Sequence, residues 1–142
     1  MQDYHKLDIW NRAMAYAVEL YRLTAKLPAA ERYNLASQFT RAATSVPLNS
    51  AEGCGCRSKP EFARVLGIAY RSLKEIVTCL ELTQRLYPDL AVKEIPVLID
   101  EGNQISRMTR AFMQRLGVRN SEKPRSLESR VLSCELERPI RF

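Results

Sequence analysis

Apolar residues recur at steps of three and four along most of this chain, and they mark out four helices. Helix one runs from about residue 5 to 27 on a stripe of Leu7, Trp10, Ala13, Met14, Ala17, Tyr21 and Thr24. Pro28 ends it, because the residue before a proline is pushed out of helical geometry. Helix two starts near Glu31 and turns Leu35, Phe39, Ala42, Val46, Asn49 and Gly53 inward. Helix three has an explicit start: Ser58 as cap, Pro60 in the first turn and Glu61 at the third position. Its stripe is Phe62, Leu66, Ala69, Leu73, Ile76, Leu80, Thr83 and Tyr87. Helix four spans about 91 to 116, with Ile95, Ile99, Gly102, Ile105, Thr109, Phe112, Met113 and Leu116 inward. Pro96 fits only if the regular helix begins close to it. Four helices and three short turns predict an all-α, antiparallel up-down-up-down four-helix bundle over residues 1–116.

Residues 117–142 form a C-terminal tail. Leu132, Cys134 and Leu136 alternate with polar residues as in a short strand, while Leu127, Val131 and Leu132 suit a helical turn or two. A disordered end and a docking arm are both compatible with that pattern.

Helix two carries two polar irregularities. Pro47 removes the backbone donor that would reach the Ala43 carbonyl, which predicts a kinked second helix. Asn49, two residues on, needs hydrogen-bond partners at an inward position. Glu52 lies near the helix end, within reach of Arg57 or Lys59 across the turn. All three residues are read as structural.

Two helices are apolar over a wider arc than one stripe needs. Helix one adds Ile9, Tyr16, Leu20, Leu23 and Leu27 on a flank about 100° from its main stripe. Helix three adds Val65, Ile68 and Cys79. A broad core face explains this pattern, and so does a second seam packed against another subunit.

The chain has 142 residues and a net charge of +6, enough for one core and a mildly basic surface. Arg57, Arg64 and Arg71 repeat every seven residues opposite the apolar stripe of helix three. Seven residues drift only about 20° on an ideal helix, so they form one outward row. Folding the helices back at the turns sets Arg41 and Arg110 level with Arg71, and Arg107 level with Lys74. Such a belt suits RNA or DNA phosphates, which arginine grips without reading sequence. It also suits an ordinary solvated face, with Glu61 and Glu75 pairing with Arg64 and Arg71.

Little catalytic chemistry is on offer. The lone histidine, His5, forms no Glu-x-x-His pair, and Gly53-Cys54-Gly55 lacks the spacing of a nucleotide loop. Cys54 and Cys56 do not make the two spaced ligand pairs of structural zinc. The sequence therefore predicts no enzyme, no cofactor and no metal. No uncharged apolar run approaches the roughly 18 residues of a membrane span, and no signal peptide is read at the N-terminus. A cytoplasmic location with free thiols is expected.

One run carries a more specific signal. Arg41, Ala42, Ala43, Ser45, Val46, Pro47, Asn49, Ala51, Glu52 and Gly53 resemble the second-helix signature of proteins encoded by intervening sequences in large-subunit ribosomal RNA genes. Leu7, Trp10 and Ala13 match that family's opening, and Pro28, Glu31, Tyr33, Leu35 and Gln38 match its first turn. Glu61, Phe62, Leu66, Ala69, Ser72, Leu73 and Glu75 match its third helix. Relatives of the family include the accessory variability proteins of diversity-generating retroelements. The resemblance implies a four-helix bundle and favours the subunit seam, in a homo-oligomer and by preference a pentamer. It also implies a partnership with a reverse transcriptase and its RNA template.

Overall fold

A computed structural model describes residues 2–117. Among them the chain forms four α-helices: α1 (Asp8–Thr24), α2 (Leu35–Cys54), α3 (Lys59–Leu86) and α4 (Glu94–Arg115). Each helix packs against its neighbours in the order α1, α2, α3, α4 and back to α1. The alternate directions forced by short turns make this an antiparallel bundle.

Local chemistry sets the helix ends. A single 3₁₀ turn at Tyr4–Lys6 precedes α1, with Asp3 accepting a hydrogen bond from the His5 amide at 3.1 Å. Past Pro28 the chain makes another 3₁₀ turn at Ala29–Glu31, so α2 begins four residues later than its sequence suggests. Glu31 ties that corner: its carboxylate accepts from Tyr87 Oη at 2.6 Å and faces the Leu35 amide at 3.4 Å. Ser58 caps α3 by accepting from the Glu61 amide at 3.3 Å. Pro96 is the third residue of α4, where its missing N–H would have had no intrahelical partner.

The helix continues through Pro47. Asn49 is half-buried, and its amide donates to the Ser45 carbonyl at 2.7 Å and to Ser45 Oγ at 3.0 Å. The amide thus secures the carbonyl four residues back and leaves Ala43 untouched. Ser45 Oγ also meets Ser72 Oγ at 2.8 Å, so a polar chain joins α2 to α3.

Leu20, Phe39, Leu66, Leu73, Ile76, Leu80, Ile95 and Ile105 are fully enclosed. A smaller cluster of Cys54, Phe62 and Leu66 closes one end, covered by Leu7, Phe112, Met113 and Leu116.

The apolar flanks expected to form a subunit seam are buried within the monomer instead. Ile9, Tyr16, Leu20 and Leu23 of α1 and Val65 of α3 are each 5% exposed or less, inside the monomer's own core. Helix one carries two apolar stripes, and the bundle buries the one written as a flank together with Ala13 of the other. Tyr16 shows why. Its hydroxyl donates to the Leu98 carbonyl at 2.8 Å, in space that exists only because residue 102 is glycine. A Cβ there would lie 2.5 Å from Tyr16 Oη and 2.9 Å from Val77 Cγ2. Met14, Val18 and Tyr21 face outward instead, at 43%, 48% and 48% exposure. Of the seam residues only Leu27 and Ile68 stay half-buried.

Candidate nucleic-acid interface

All seven basic residues singled out from the sequence are exposed: Arg41, Arg57, Arg64, Arg71, Lys74, Arg107 and Arg110. Arg64 and Arg71 lie inside α3, seven residues apart, which separates them by about 10 Å along the axis. The buried residues Phe62, Leu66, Ala69 and Leu73 occupy the opposite side of the same helix. Arg57 does not belong to the helix. It sits in the turn before Ser58, where its amide donates to the Glu61 carboxylate at 3.0 Å, so it extends the row from beyond the helix end.

Glu61 and Glu75 are engaged elsewhere than in pairs with Arg64 and Arg71. Glu61 holds the helix start. Glu75 accepts from the Gln38 amide at 2.7 Å, in the orientation that also lets Gln38 accept from Arg41 Nη2 at 3.2 Å. Among the described residues, none of the seven cations forms an ion pair within 4.0 Å of a carboxylate. Lys74 Nζ stands 5.1 Å from the centroid of the Tyr70 ring.

The cations converge less tightly than the simple fold-back suggests. Contact between Ser45 and Ser72 places Arg41 beside Glu75, about one turn from Arg71, and a shallow polar notch lies among these side chains. On the other side Phe112 packs edge-on to Phe62 at 5.2 Å and Gly102 abuts Val77. Between those two contacts, Arg107 and Arg110 run alongside the stretch of α3 that carries Arg64 and Arg71. The result is a basic face over α3 and α4, with Arg41 at its margin.

Glu52 is exposed and makes no ion pair with Arg57 or Lys59. Burial pushes the thiols of Cys54 and Cys56 above the usual cysteine range, which disfavours the thiolate that binds metal or attacks. Among the described residues no group of three or more His, Cys, Asp or Glu side chains is placed to hold a metal ion. No helix among them is long and apolar enough to cross a membrane.

Two features escaped the sequence analysis. Arg12 forks onto Glu101 with contacts of 3.0 and 2.7 Å, joining α1 to α4, and this hydrogen bonding holds its guanidinium above its ordinary pKa. An apolar groove also opens between α1 and α2, lined by Met14, Val18, Tyr21, Pro47 and Leu48. The doubled stripe of helix one and the exposed apolar residue after Pro47 were its only traces in the sequence.

The 23S rRNA-intervening sequence protein family matches this chain over residues 5–111. The chain belongs to that family. Its bundle is similar to the crystal structure of a protein of unknown function from Bacteroides thetaiotaomicron, placed in the S23 ribosomal protein family. The two share 20% identity over 74% of this chain and 97% of that one, with a TM-score of 0.66, a likeness of fold. Among curated proteins the chain has no match.

Proposed function

We propose that this family member is a non-catalytic accessory protein that binds RNA or DNA through the basic face of α3 and α4. The observation that carries the proposal is the row of Arg57, Arg64 and Arg71, exposed and free of carboxylate partners among the described residues, with Arg107 and Arg110 alongside. Unpaired guanidinium groups at intervals along a rigid helix can grip successive phosphates bidentately, and such contacts fix position without selecting sequence. Resemblance to the retroelement accessory proteins adds the partner: a reverse transcriptase acting on an RNA template.

A homo-oligomer, by that resemblance a pentamer, would repeat the basic face around a ring. Its contacts must use side chains outside the core, such as Leu86, Val92 and Val97 near the α3–α4 turn, at 53%, 61% and 67% exposure. The competing role is a protein-interaction scaffold, and the α1–α2 groove is the observation in its favour.

Reversing Arg64 and Arg71 to glutamate separates the two. Both side chains point away from the core, so helicity should be unchanged. Fluorescence anisotropy should show weaker binding to RNAs of unrelated sequence by a similar factor for each. Undiminished binding, even with Arg107 and Arg110 reversed as well, would overturn this face as the phosphate site, and no binding by the unmodified protein would leave only the scaffold.

A further inference from the structure

We infer that the groove between α1 and α2 is the seat of the chain's own C-terminal segment, residues 127–136, an inference independent of the nucleic-acid reading. The groove has a volume of about 700 Å³. Small residues make it concave: Ala17 on α1, Ala25 just past its end, and Thr44 and Pro47 on α2. Larger side chains raise its walls, with Met14, Val18 and Tyr21 about half exposed and Leu48 at 66%. Met14, Val18 and Tyr21 follow one another at steps of four and three, so the exposed apolar surface is continuous rather than scattered. A continuous exposed apolar patch of this kind marks a contact surface.

The occupant is identified by pattern and by reach. Residues 119–126 are polar or proline throughout, as in a tether, and apolar residues then return at Leu127, Val131, Leu132, Cys134 and Leu136. Leu127, Val131 and Cys134 repeat the four-then-three spacing of Met14, Val18 and Tyr21. An apolar ridge with that repeat complements a groove between two helices.

Distance allows the docking. Leu116, at the end of α4, packs in the same cluster as Leu7 at the foot of α1. Val18, mid-groove, lies eleven residues further along α1, about 16 Å up the axis at 1.5 Å per residue. Crossing α1 adds one interhelical spacing, about 10 Å. Ten residues from Gly117 to Leu127 span up to about 33 Å when extended, ample for both steps. A short tether also holds the segment at an effective concentration on the order of millimolar, well above that of a second copy in micromolar solution.

Photocrosslinking on the full chain tests the inference. With Val18 replaced by benzoylphenylalanine, irradiation should join position 18 to a peptide within residues 127–136 in a product of monomer mass. The yield should not change between nanomolar and micromolar protein. In the same background, Val131→Asp combined with Leu132→Asp should cut the yield at least tenfold while bundle helicity stays the same. Products of twice the chain mass that grow with concentration would seat a second copy in the groove and overturn the inference. So would absence of the 127–136 adduct, or a yield that ignores the aspartate pair.

Discussion

Tyr16 puts a phenol in the centre of the bundle, where it contributes both packing and a hydrogen bond. Its oxygen donates to the Leu98 carbonyl, and burial pushes its pKa up from the ordinary tyrosine value. Tyr16→Phe should therefore cost about 1 kcal/mol of stability at neutral pH, the net worth of one buried hydrogen bond. The same group predicts alkaline lability. The unfolded phenol ionises near pH 10, whereas the folded one stays protonated, so its contribution is complete below about pH 10 and is lost as pH rises further. Urea titrations at pH 8 and above pH 10 should show a decline that is shallower in Tyr16→Phe. An equal decline in both proteins would assign the effect to other groups. None of this is visible in the local sequence: Tyr16 stands in one of two equally regular stripes on α1, and its partner and its space come from residues 98 and 102 on another helix.

At the scale of elements, the start of α3 was legible because its signal is local. Ser58, Pro60 and Glu61 start α3 within four residues of sequence, whereas α1 ends at Thr24, ahead of Pro28, and α2 waits until Leu35. Faces and registers were less legible because they depend on neighbours. Both stripes of α1 repeat every three and four residues, and the bundle buries the one whose tyrosine meets a glycine across the α1–α4 contact. That contact makes a prediction. Gly102→Ala should gain up to about 1 kcal/mol of helix propensity but lose about 1–3 kcal/mol to overpacking against Tyr16 and Val77, for a net loss. Because Tyr16 Oη is the nearest atom, adding Tyr16→Phe should recover part of the loss, a coupling that a double-mutant cycle in urea would measure. Strict additivity would mean that the helices simply move apart.

Among the described residues the bundle presents two unlike faces. Since the helices neighbour one another only in cyclic order, the apolar groove of α1 and α2 lies on the side away from the basic face of α3 and α4. The heptad repeat of arginines in the sequence was enough to place Arg64 and Arg71 outward. Turn geometry moved Arg57 off the helix and Arg41 to the margin, which spacing alone could not convey. The central claim is that this basic face grips phosphate, and salt dependence tests it most directly. Affinity for a single-stranded RNA should fall linearly with salt on a log–log scale, by about 0.7 per phosphate contacted. With Arg57, Arg64 and Arg71 all reversed to glutamate, that slope should become shallower by about 2, three contacts' worth. An unchanged slope and affinity in a folded triple variant would contradict the account.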